Sequence, residues 1–96
     1  MPSINDQANE YFHLSEGLDA ATEFMQELAE ENMRKSKRYH KLIESSDLTA
    51  DEMIQANQLR IEISKGVEEL HALSKDIAPD RERLRELSRS LDAVGF

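Results

Sequence analysis

No cysteine occurs among the 96 residues, which rules out disulfides and thiolate metal sites. Tryptophan is missing too and aromatics make up only 5%, so the interior must be built from aliphatic side chains. Three glycines and two prolines are few, while charged residues reach 33%; that composition suits long helices better than sheets or many turns. No apolar run approaches the ~18 residues that a membrane span requires. The opening Met1-Pro2-Ser3-Ile4-Asn5-Asp6 lacks the basic start and apolar stretch of a cleaved signal. The expected location is therefore the cytoplasm, with export by a route that needs no cleaved signal left open. There is no glycine-rich phosphate loop and no nucleophile elbow, so neither catalysis nor a cofactor is expected.

Positive charge is also scarce. The net charge is −8, which disfavours sequence-independent binding to nucleic acid or to an anionic membrane. The first 33 residues hold eight acids and neither Lys nor Arg. Cations then gather at Arg34, Lys35, Lys37, Arg38 and Lys41, with Tyr39 and His40 interleaved. Such a run suits an acidic partner or phosphate. It equally suits a helix C-terminus, whose dipole favours cations, with Glu30–Arg34 and Glu31–Lys35 as supporting pairs one turn apart.

What the chain does have is a seven-residue apolar rhythm. It runs Tyr11, Leu14, Leu18, Ala21, Met25, Leu28, and again Ala56, Leu59, Ile63, Gly66, Leu70, Leu73, Ile77, then Leu84, Leu87, Leu91, Val94. Spacing of three and four draws one stripe along one side of a helix. The expected fold is all-α: an antiparallel helical hairpin with coiled-coil-like packing, forming a single domain over residues 1–96.

Helix 1 is expected over about 8–44. A competing start lies at Glu16, capped by Ser15, since Gly17 weakens a helix passing through it. The polar stretch 45–49 forms the turn. Thr49 and Glu52 then form a capping box, with Leu48 and Met53 as its hydrophobic staple, and open a helix reaching about Ala78. Pro79 kinks or ends that helix. The stripe nevertheless stays in phase to Val94, so residues 80–94 are a kinked continuation or a closely stacked third helix.

A short turn makes the helices antiparallel neighbours, pairing residues whose numbers sum to about 95. Leu42 then meets Met53, Met25 meets Leu70, Leu18 meets Ile77 and Tyr11 meets Leu84, while Leu28 falls near Gly66. The same register sets Arg85 by Glu10, Arg89 by Asp6 and Lys65 by Glu30. Asn32 and Lys35 interrupt the stripe. Either they fix register as polar seam residues, or the seam drifts onto Ala29, Met33, Ser36, His40 and Ile43; drift is the favoured expectation.

Glu10-x-x-His13 and Glu68-x-x-His71 have metal-like spacing. With the stripe turned inward, Glu68 and His71 face outward, and Glu10 and His13 only flank it, so no metal site is expected. A hairpin this small buries little, and apolar residues remain off the stripe. Phe24, Met33, Ile54, Ile61, Val67, Leu84, Leu87, Leu91 and Val94 are the expected partner-binding residues. Their partner is an amphipathic helix of another protein, a second copy of the chain, or both.

The stretch Asp47-Leu48-Thr49-Ala50-Asp51-Glu52-Met53, then Gln55, Asn57, Leu59, Ile61, Ile63, Val67 and Lys75-Asp76-Ile77, resembles the second helix of type III secretion needle and inner-rod subunits. The resemblance covers roughly residues 42–77, and the charge-rich hairpin is also similar to the small chaperones that hold such subunits. The turn lacks the proline usual in needle subunits, and Pro79–Phe96 has no needle counterpart. The resemblance therefore implies a chaperone or assembly factor ahead of a polymerising needle- or rod-type subunit. An acidic mimic of nucleic acid, using Glu16, Asp19, Glu23, Glu27, Glu30 and Glu31, is a third reading.

Overall fold

Ser3 and Asp6 cap one another: the Ser3 amide donates to the Asp6 carboxylate (3.4 Å) and the Asp6 amide to the Ser3 hydroxyl (3.1 Å). From this cap the first helix, α1 (Ile4–Ile43), runs for 40 residues. It therefore starts earlier than either Ala8 or Glu16. Ser15 lies inside the helix, and Gly17 is carried through it. The structure, a computed structural model, describes residues 3–95; residues 1, 2 and 96 of the expected domain lie outside the described residues. The chain is an all-α helical hairpin.

The turn falls where its polar residues place it. Thr49 and Glu52 form the reciprocal box, each backbone amide donating to the other's side chain at 3.2 Å. They open α2 (Ala50–Ala93), 44 residues long. The staple contributes little, since Leu48 is half-buried but Met53 is exposed. Pro79 sits inside α2, and the helix neither ends nor starts afresh there. Pro79 has no amide to give the Lys75 carbonyl; packed side chains on both sides of it keep the segment helical. Gly95, at a φ of 72°, closes the helix in the left-handed conformation that glycine adopts freely.

The helices divide into two compact units. One joins Met1–Phe24 to Leu73–Phe96, the helix-end unit; the other, Met25–Ala72, holds the turn. The helix-end unit carries most of the core. Ala8, Leu18, Ile77, Leu87 and Leu91 are buried there, with Leu87 only 2% exposed. Tyr11 and Leu84 are half-buried. The helices run antiparallel, because Glu10 joins Arg83 while Gln7, nearer the start of α1, accepts from Ser90. In the turn unit Ala56 is the one buried apolar residue. Met25, Leu28, Leu42, Leu59, Ile63 and Leu70 are half-buried.

Each unit keeps the expected register within a few residues, but not the expected partners. Glu10 takes Arg83, at 2.8 and 2.9 Å, rather than Arg85. Two residues along a helix turn a side chain by about 200°, so Arg85 points elsewhere and pairs with Glu82 on its own helix. Asp6 serves the α1 cap, and no ion pair forms between Arg89 and Asp6 or between Lys65 and Glu30 among the described residues. Met53 is exposed and does not take up the place opposite Leu42 in the seam.

The seam does not drift in the turn unit. Asn32, Lys35, Tyr39 and Leu42 are half-buried; of the drift track only Ser36 is half-buried, while Ala29, Met33, His40 and Ile43 are exposed. The polar residues hold their places because each finds a partner. Asn32 Nδ2 donates to the Ile63 carbonyl at 3.1 Å. Lys35 Nζ lies 3.5 Å from Glu31 and 3.9 Å from Glu62. Gly66 faces the Asn32 amide, and a Cβ added there would lie 2.7 Å from Asn32 Cγ. The missing side chain thus admits an asparagine rather than the Leu28 of the sequence-based expectation.

Candidate protein-interaction surface

The polar seam leaves the turn unit with two unlike flanks. On one, α1 and α2 border a shallow groove that includes Glu31, Lys35, Arg38, Gln55 and Glu62. Charges of both signs meet there, and Lys35 bridges its two glutamates. Helical geometry at about 100° per residue sets the opposite flank. It carries Ala29, Ser36 and Ile43 from α1 and Met53, Arg60 and Val67 from α2. Next outward come Met33 and His40 on α1, and Asn57 and Ser64 on α2. Ile54 and Ile61 stand on the side of α2 directly away from the seam.

The flanking columns have no Asp or Glu in a protein of net charge −8, whereas exposed Glu68 continues the column of Ile54 and Ile61. Their one cation, Arg60, is held on its own helix by donating to the Asn57 side chain at 3.0 Å. The apolar side chains are well exposed: Met33 62%, Ile54 66%, Val67 56% and Met53 56%. Scattered exposed apolar residues are ordinary on a protein surface; a run of them without acids marks a place where another molecule packs. Ile43 and Met53 belong to this run and were not among the residues singled out from sequence. The signal lay in their sevenfold columns, Ala29–Ser36–Ile43 and Met53–Arg60–Val67, which flank the stripe instead of lying on it.

The structure separates the nine expected partner-binding residues. Met33, Ile54, Ile61 and Val67 are exposed in the turn unit. Phe24 and Val94 are exposed in the helix-end unit. Leu87 and Leu91 are corrected outright: both are buried within the chain. They continue the seam beyond Pro79, which an unbroken α2 turns toward α1. Leu84 is half-buried for the same reason. Phe12, not singled out from sequence, is also exposed in that unit, edge-on to Tyr11 at a ring separation of 5.9 Å.

The titratable groups are spread over the surface. No polar or charged residue is buried among the described residues. Glu10 is held below its ordinary range chiefly by the hydrogen bond from Arg83, with the guanidinium charge adding to it. Arg83 is pushed upward by the same contact. Glu10 is thereby engaged, while His13, Glu68 and His71 are exposed. Among the described residues no three His, Asp or Glu side chains converge as metal ligands, and no helix is long and apolar enough to cross a membrane. In the basic run, Arg34, Lys37, Arg38 and Lys41 are exposed, and only Lys35 turns into the seam. The Glu30–Arg34 pair expected along α1 does not form; Glu31–Lys35 does.

The chain matches no protein family, no curated protein and no solved structure.

Proposed function

We propose that the chain is a non-catalytic interaction module that shelters an amphipathic helix of another protein. The partner helix lies along Met53, Ile54, Ile61 and Val67. One observation carries this reading: Met53, Ile54, Ile61 and Val67 stand exposed on a unit whose own core contains a single buried apolar residue, Ala56. Burying an exposed isoleucine side chain is worth about 1.5–3 kcal/mol. A helix laid on the strip therefore gains stability and covers the turn unit together. The resemblance of residues 42–77 to type III secretion subunits supports a chaperone or assembly-factor role, with a helix of a secreted or assembling subunit as cargo.

The test uses photocrosslinking side chains installed singly at Ile54, at Ile61 and, as a control, at exposed Glu16, in the cells that produce the protein. The proposal expects one cross-linked protein from both isoleucine positions and none from Glu16. Ile54→Lys and Ile61→Lys should weaken binding of that protein by about tenfold or more while helicity is kept. Equal cross-linking from all three positions, or binding unaffected by either lysine, would refute it.

A further inference from the structure

The outward ridge of α1 in the turn unit carries a second pattern, separate from the apolar strip of α2. Glu27, Glu30, Arg34 and Lys37 follow one another at spacings of three, four and three, so they lie on one line along the helix. All are exposed, and none forms an ion pair within the chain among the described residues. Acids come first and cations second. Beside this line lie Met33, 62% exposed, and uncharged Gln26.

A helix face with acids at one end and cations at the other is complementary to itself when turned end for end. We propose that a second copy of the chain occupies this face, with the two α1 helices antiparallel about a two-fold axis that passes the outward side of α1 beside Met33. Glu30 of each copy then lies beside Arg34 of its mate, and Glu27 beside Lys37. The two Met33 side chains come together beside the axis. A parallel arrangement would stack like charge on like charge, so the pattern selects the antiparallel one. The contact is isologous and closed.

Charge also singles out this face for self-association. A chain of net charge −8 repels its own copies over most of its surface, but the four residues of the ridge sum to zero. Exposed ion pairs are each worth only a fraction of a kcal/mol, so they fix orientation while Met33 supplies the apolar contact. The dimer is accordingly weak and salt-sensitive. It does not depend on the partner helix proposed above, because Ile54 and Ile61 stand on α2 and stay free.

Sedimentation equilibrium of the full chain decides the matter. The wild type should approach dimer mass as concentration rises, and added salt should reverse this. The variants E27K/E30K and R34E/K37E should each raise the dimer dissociation constant by about tenfold or more. Mixing the two in equal amounts should restore dimer, since one ridge is then wholly positive and the other wholly negative. The fourfold variant E27K/E30K/R34E/K37E, of unchanged net charge, should dimerise alone. Circular dichroism checks that every variant keeps its helicity, and Ile61→Lys should leave the dimer intact even if it abolishes partner binding. A wild type monomeric at every concentration overturns the proposal. So does a mass that ignores the reversals, failure of both the mixture and the fourfold variant to recover dimer, or growth into open polymers.

Discussion

Gly66→Ala should destabilise the protein, although alanine is the better helix former. In a helix interior that exchange favours Ala by about 1 kcal/mol. At Gly66 the added methyl would lie 2.7 Å from Asn32 Cγ and 2.9 Å from Asn32 Nδ2. The amide must move, and its bond to the Ile63 carbonyl goes with it. Losing that bond costs about 1 kcal/mol, and crowding the seam costs about 1–3 kcal/mol more. The net loss is about 1–3 kcal/mol, a fall in Tm of roughly 4–24 °C. Gly17 is the internal control: nothing lies within 4 Å of a Cβ placed there, so Gly17→Ala should gain about 1 kcal/mol. In an Asn32→Ala background the obstruction is gone, and Gly66→Ala should become stabilising by a similar amount. The coupling between the two sites is then about 2–4 kcal/mol. Thermal and urea melts followed by circular dichroism measure all of it. If Gly66→Ala stabilises the wild type as much as Gly17→Ala does, the Asn32–Gly66 contact is not what sets the seam.

Three further outcomes follow from the same contacts. Leu87→Ala should cost about 2–5 kcal/mol, whereas Ile61→Ala on the exposed strip should change stability by less than about 0.5 kcal/mol; equal losses in urea melts would undo the division into core and strip. Glu10 is held below its ordinary 4.5 by Arg83, so their pairing stabilises the fold above that value and the contribution disappears as pH falls through the lowered one. The stability difference between wild type and Glu10→Gln should therefore shrink on acidification below 4.5, and a difference independent of pH would show the pair to be idle. Pro79→Ala should stabilise α2 by about 1–3 kcal/mol, because it returns an amide to the Lys75 carbonyl. A loss would mean that the proline shapes a contact with another molecule.

The features legible in the sequence were those set by short-range chemistry or by strict spacing. Thr49 and Glu52 announce a helix start because each needs the other's amide. The stripe keeps step from Ile77 to Leu84 across Pro79, which suits a kinked continuation or a stacked third helix, and the structure has the continuous helix. The Ser3 cap carries a weaker signal, because its third residue is Asp6, shorter than the Glu or Gln of the usual box. Asn32 and Lys35 misled for a deeper reason. Apolarity ranks Met33 and Ile43 above them as core residues, yet a seam position can be held by a polar group whose partners, the Ile63 carbonyl and Glu62, lie on the other helix. Only the fold brings those partners within reach. Leu87 and Leu91 seemed available to a partner only while the segment beyond Pro79 was free to leave the hairpin. The acid-free flank is invisible in any single stretch, because α1 and α2 each supply half of it.

The proposed role requires a turn unit that another molecule completes. Residue-resolved hydrogen exchange of the dilute chain tests this most directly. Amides of residues 25–72 should open at lower free energy than those around Leu18, Ile77 and Leu87, and their protection should rise with protein concentration or on adding the cross-linked partner. Uniform protection of both units in dilute solution, unchanged by either addition, would contradict it.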